Sequence, residues 1–133
     1  MGFSTSFARL RRRRGGMKRI LFVDDEPLVL RGLRNLLHAE RSRWEMVFAV
    51  GGEAALEELA KARFDVIVSD LRMPGMDGLT LLRCVQADYP HVARIVLSGY
   101  AHPATLEAAR AVARAVLGKP CDPQMLRTAI EAA

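Results

Sequence analysis

The chain has 133 residues, half of them apolar, and a formal net charge of +5. That is room for one domain with a hydrophobic core that needs no disulfide or metal staple. With no apolar run near the roughly 20 residues of a membrane span, and no apolar core of a secretory signal at the N-terminus, a cytoplasmic protein is expected.

The positive charge sits in the first 19 residues, which hold seven basic side chains and no acid; the rest has 13 basic against 15 acidic residues, a net charge of −2. Residues 3–16 show neither helical nor alternating periodicity, and the four arginines 11–14 followed by Gly15 and Gly16 predict a disordered basic arm over residues 1–17. Four arginines without interleaved aromatics make a poor nucleic-acid surface. The arm reads as a tail without function, or as sequence ahead of a true start at Met17. Cys84 and Cys121 stand far apart with no metal-ligand spacing and predict two reduced thiols.

From Lys18 the pattern becomes regular, with the domain predicted over residues 18–133. Residues 20–23 form a continuous apolar run ending in Asp24 and Asp25, as expected of a strand buried on both faces of a parallel sheet. Pro27 suits the first turn of a helix reaching about His38, with Leu30, Leu33, Leu36 and Leu37 at helical spacing. Residues 46–50 predict a second strand, with Trp44 just before it. Gly51 and Gly52 turn the chain into a helix over 53–62, whose Leu56 and Leu59 mark the buried face. Residues 66–68 repeat the buried-strand signature and lead to Asp70, then to Pro74, Gly75 and Gly78.

Asp77 can cap a helix from Gly78 to about Asp88, with Leu79, Leu82 and Val85 on one side and Tyr89 and Pro90 as its stop. Residues 95–97 end at Ser98 as a fourth strand. A helix over 103–113 follows, then a short fifth strand over 115–117 ahead of Lys119 and Pro120. A last helix runs to Ala132, capped by Asp122 with Pro123 at its first position. Strands alternating with helices predict an α/β fold, an open, doubly wound, mostly parallel five-stranded sheet.

Sites in such sheets form at the carboxyl ends of strands. Asp24 and Asp25, Asp70, Ser98 and Lys119 all lie there, at four different strand ends. Each has a structural reading alone: a cap, a turn former, a strand-end hydroxyl, a solvated amine. Together they point to a site. Three carboxylates brought close are tolerable with a cation between them, or with some of them protonated. Oxygen ligands suit magnesium, which takes one or two carboxylates and completes its shell with water and phosphate oxygens. Asp70 could then act as nucleophile, forming an acyl phosphate, while the Lys119 ammonium and Ser98 hydroxyl neutralise the transferring phosphoryl oxygens.

These residues carry a resemblance. Over residues 18–132 the chain resembles the receiver domains of two-component response regulators. Phe22-Val23-Asp24-Asp25-Glu26-Pro27 is similar to their acidic motif, and Ser69-Asp70-Leu71-Arg72-Met73-Pro74-Gly75-Met76-Asp77-Gly78 to the phosphoacceptor loop. Leu97-Ser98-Gly99-Tyr100-Ala101 is similar to the switch-hydroxyl segment and Leu117-Gly118-Lys119-Pro120 to the lysine loop.

The resemblance implies a flavodoxin-like (βα)5 fold with strand order 2-1-3-4-5, and a signalling switch rather than an enzyme, with at most self-phosphorylation from small donors and slow self-dephosphorylation. A sensor histidine kinase would phosphorylate Asp70. Mg2+ would be held by Asp25, Asp70 and the backbone carbonyl of Arg72, with Asp24 helping through water. Lys119 would contact the phosphoryl group, its amine pointed inward by a cis Lys119–Pro120 bond. Ser98 would swing toward the new negative charge and remodel the face of the fourth helix, fifth strand and fifth helix.

One position departs from the pattern. Three residues before the lysine the family usually has an aromatic switch residue, and here it is Val116, so the usual hydroxyl–aromatic coupling is in doubt; Tyr100 is the nearest aromatic. The run Pro120-Cys121-Asp122 resembles receivers fused to HDOD or HD-GYP output domains. A C-terminal output domain, a partner protein and a homodimer are all open on this reading, while nucleic-acid and membrane binding are not expected. A haloacid-dehalogenase-type phosphatase would need a second Asp two positions after Asp70, where Arg72 cannot donate a proton. A degenerate receiver would have lost an acid, the hydroxyl or the lysine. P-loop and Rossmann sites need glycines where Asp24, Asp25 and Glu26 stand.

Overall fold

The computed structural model describes residues 16–99 and 101–133, so almost all of the predicted basic arm, and Tyr100, lie outside the described residues. Among the described residues five strands and five α-helices alternate. They are β1 Lys18–Asp24, α1 Pro27–Leu36, β2 Trp44–Val50, α2 Gly52–Lys61 and β3 Val66–Ser69, then α3 Gly78–Asp88, β4 Ala93–Ser98, α4 Pro103–Val112, β5 Ala115–Gly118 and α5 Pro123–Ala132. The strands make one parallel sheet in the order β2-β1-β3-β4-β5. This is the expected flavodoxin-like fold.

Alternation along each strand splits the core in two. Leu21, Val23, Ile67 and Val96 face a layer that includes Leu59 of α2, Leu82 and Val85 of α3, and Val112 of α4. Ile20, Phe22, Val68 and Leu97 face Leu30 of α1 and Leu126 and Ile130 of α5. Both faces are covered, which is why β1 and β3 are continuous apolar runs. Phe22 stacks on Phe48 at 5.0 Å between centroids, worth about 1 kcal/mol beyond burial. Cys84 and Cys121 are free thiols.

Several local expectations need correction. The first helix ends at Leu36 and not near His38, where a 3-10 turn, His38–Glu40, follows. Leu36 is 40% exposed while Leu37 is fully buried; at about 100° per residue Leu36 points some 120° away from Leu30, and Leu37 nearly superposes on it. Trp44 is the first residue of β2 and buried, not ahead of the strand. It pairs with Lys18, and the Arg43 guanidinium lies 4.8 Å from its ring. In α2 Leu59 is buried and Leu56, half-buried, packs against the same core layer as expected, with Gly52 and Ala55 also buried on that face.

Long-range polar contacts hold α5 at its C-terminal end. Lys18 Nζ donates to the carbonyls of Ile130 (3.0 Å), Glu131 (3.2 Å) and Ala133 (3.1 Å), satisfying groups that a helix end leaves unpaired. Glu40 binds Arg43 at 2.6 Å and Arg127 of α5 at 3.0 Å, and Arg43 also pairs with Glu131. No helix among the described residues is long and apolar enough to cross a membrane.

Candidate functional site

Parallel pairing delivers the polar residues to one end of the sheet. Asp24 ends β1, and its carbonyl accepts from Gly51 N–H at 3.0 Å. Asp70 extends β3 by one residue, its N–H donating to Val23 O at 3.2 Å, and Lys119 extends β5, its N–H donating to Ser98 O at 3.0 Å. These backbone bonds tie β2 and β3 to β1, and β5 to β4, at this end of the sheet before any side chain is placed. Between them lies a crevice of about 720 Å³, lined by Asp24, Asp25, Asp70, Ser98 and Lys119 among others.

The carboxylates differ in what holds them. Asp24 is only 3% exposed. Its Oδ1 accepts from the Glu26 N–H at 3.0 Å, a short turn that starts the chain into α1, and its Oδ2 accepts from Lys119 Nζ at 2.9 Å. Asp70 Oδ1 accepts from Leu71 N–H at 2.7 Å and Arg72 N–H at 3.4 Å, and its Oδ2 lies 3.5 Å from Lys119 Nζ. Asp25 is part-exposed, and among the described residues its carboxylate makes no hydrogen bond. Burial pulls the Lys119 ammonium down, but the hydrogen bond to Asp24 and the charges of Asp70 and Asp24 outweigh it and hold its pKa above the usual lysine value.

One oxygen from each of Asp24, Asp25 and Asp70 lies within 4.8 Å of the others. Oxygens on opposite sides of a magnesium ion stand about 4.2 Å apart. The cluster, with one ammonium against three carboxylates, therefore suits a small hard cation in both spacing and charge. Arg72 also lines the crevice. The predicted residues Asp24, Asp25, Asp70, Arg72, Ser98 and Lys119 are thus brought together.

The loop after Asp70 is built to hold still. Leu71 and Met73 are buried in the core, Gly75 takes φ +77° where a side chain would be strained, and Asp77 caps α3 by accepting from Thr80 N–H at 2.8 Å. The Lys119–Pro120 bond is cis. Ser98 is 6% exposed, and among the described residues its hydroxyl has no hydrogen-bond partner. Val116 is half-buried in the core layer under α4, paired with Val96.

Three features had escaped sequence reasoning. Ser69, fully buried, donates its hydroxyl to the Asp70 carbonyl at 2.8 Å. Gly78 lies against the backbone of Asp70. Thr105 of α4 lines the crevice. Only the glycine left a sequence signal, as a poor helix former placed at a helix start.

The response regulator receiver domain family matches residues 20–131. The chain is 35% identical over 116 residues to the chemotaxis protein CheY of Pseudomonas aeruginosa, covering 85% of this chain and 93% of that protein. It is similar to the signal receiver domain of an HD domain-containing protein from Pseudomonas fluorescens Pf-5, with a TM-score of 0.83, 32% identity and coverage of 89% of this chain and 94% of that one. It is also similar to the response regulator TrrA of Thermotoga maritima in complex with Mg2+-BeF, with a TM-score of 0.78, 28% identity and coverage of 87% and 98%. Three other curated relatives are longer, and the chain spans between 23% and 32% of their length.

Proposed function

Because the chain belongs to the response regulator receiver domain family of two-component signalling, we propose that it is a switch thrown by phosphoryl transfer from a sensor histidine kinase onto Asp70. The observation that carries this is the position of Lys119 Nζ, 2.9 Å from Asp24 and 3.5 Å from Asp70. A cation held between a buried acid and a less buried one leaves the second acid as the group open to reaction. In the transfer, an Asp70 carboxylate oxygen forms a bond to phosphorus while the P–N bond of a phosphohistidine breaks, the electron pair leaving with the imidazole nitrogen. Asp70 Oδ1 is held by two backbone N–H groups, so Oδ2, facing Lys119, is the oxygen that attacks.

Asp25 and Asp70 with the Arg72 carbonyl would hold Mg2+, Asp24 assisting through water; when bound, the ion neutralises charge on the phosphoryl oxygens. Lys119 follows the charge to the phosphoryl group, and the Ser98 hydroxyl, without a partner among the described residues, turns toward it. The domain is a cytoplasmic phosphoacceptor and not an enzyme in its own right. It works on an output domain or partner protein, and the likeness to a receiver from an HD domain-containing protein supports an output of that class. Incubation with acetyl phosphate and Mg2+, followed by intact mass and borohydride trapping, should place one phosphoryl group on Asp70. Unmodified protein, or label at another residue, rejects the reading.

A further inference from the structure

Val116 leaves α4 without a polar side chain beneath it to sense the crevice, yet α4 carries one of its own. Thr105, in the first turn of α4, is half-buried and lines the crevice with Ser98, Gly99 and Lys119. A helical threonine commonly folds its hydroxyl back onto a carbonyl one turn earlier. Thr105 does not, and among the described residues its hydroxyl makes no hydrogen bond. Ser98, 6% exposed, likewise has a hydroxyl without a partner among the described residues. Two unpaired hydroxyls, one at each end of the connection from β4 to α4, thus border the same space beside Asp70.

That end of α4 is lightly held. Its buried residues, Ala109 and Val112, lie in its second half, whereas Pro103 and Ala104 are exposed and the cap from Ala104 N–H to His102 Nδ1 is long at 3.4 Å. A phosphoryl group brings three strong acceptor oxygens, each able to accept more than one contact, so Mg2+, Lys119 and Ser98 leave acceptor capacity for a further donor.

We infer that Thr105 is a second phosphoryl-sensing hydroxyl: its Oγ1 donates to the phosphoryl group on Asp70 in the phosphorylated state only, and so draws the first turn of α4 toward the crevice. This rests on Asp70 being the phosphoacceptor. A contact made in one state and not the other is what shifts a two-state equilibrium, and by linkage its loss weakens the phosphoryl mimic by the same factor.

The test is NMR of the full chain with Mg2+ and beryllofluoride, comparing wild type, Thr105→Val, Thr105→Ala and Thr105→Ser. The expected result is that amide shifts over residues 104–106 move in wild type and Thr105→Ser. In Thr105→Val and Thr105→Ala they shrink, and beryllofluoride affinity falls by about ten- to a hundredfold, the worth of one hydrogen bond to a charged group. Wild-type shifts and affinity in both the Val and Ala variants overturn the inference alone, as does a Ser variant that behaves like them. Wild-type protein that neither binds beryllofluoride nor gains an acyl phosphate overturns the phosphoacceptor reading and this inference together.

Discussion

A Cβ on Gly78 would stand 1.9 Å from the carbonyl oxygen of Asp70 and 2.7 Å from the Cα of Leu71. The first residue of α3 is therefore in backbone contact with the residue proposed to carry the phosphoryl group, and its N–H donates to Leu71 O at 2.9 Å. Glycine is a poor helix former, so its presence reflects this approach and not a local preference.

Gly78→Ala should accordingly displace the loop of residues 70–77. Because backbone and not a flexible side chain must yield, the cost should be about 3 kcal/mol, read from urea denaturation, with slower labelling by acetyl phosphate. A variant as stable and as reactive as wild type would mean the loop yields freely.

Asp70→Asn removes the nucleophile while keeping the shape. It should take up no phosphoryl group, and excess chelator should abolish labelling of wild type. A phosphoryl mass gain on the Asn variant, or full labelling in chelator, contradicts the assignment of Asp70.

Magnesium affinity should depend more on Asp25 than on Asp24, whose two carboxylate oxygens are already engaged by Glu26 N–H and Lys119. Asp25→Ala should weaken Mg2+ by more than about tenfold in calorimetric or NMR titration. Trp44, buried at the opposite end of β1–β2 pairing from Asp24, should not report it. Equal binding by wild type and Asp25→Ala rules the direct ligand out.

The raised pKa of Lys119 has a stability consequence with a definite sign. Desolvation lowers it, and the contacts with Asp24 and Asp70 more than compensate. Between the unfolded and folded pKa values the folded state binds more protons, so stability falls as pH rises. The contribution is complete below the ordinary lysine value, about 10.4, and disappears as pH climbs through the higher folded value. In chelator, wild type should lose stability over this alkaline window, and Lys119→Met should lack that part of the slope. Parallel slopes in the two proteins reject the coupling.

Val116 cannot offer the ring or hydroxyl of an aromatic switch residue, and α5 is tied down by Lys18, Arg127 and Glu131. Beryllofluoride with Mg2+ should therefore perturb residues 98–102 and the first turn of α4 more than Val116 and α5. Larger amide shift changes at Val116 and α5 would show the usual coupling intact despite the valine.

The sequence by itself determined the architecture and the strand-end residues that meet in the crevice, though not Thr105. Strands buried on both faces must be apolar throughout, so residues 20–23 and 66–68 announce themselves. Asp24, Asp25, Asp70, Ser98 and Lys119 follow such runs, and strand ends in a parallel sheet converge. Asp77, Asp122 and Pro123 likewise act within a few residues of themselves, at the helix starts where they were expected.

Only the tertiary structure decided which carboxylate is buried and held by Lys119, that Leu36 faces solvent while Leu37 fills the core, that Trp44 belongs to β2, and that Lys18 caps a helix more than 100 residues away. These depend on pairing register and on contacts between segments distant in the chain, whose closeness is set by the packed sheet. Local periodicity carries no record of it. Gly78 marks the boundary between the two: its identity is visible in the sequence, but its reason, the Asp70 backbone pressed against it, exists only once β3 and α3 are packed together.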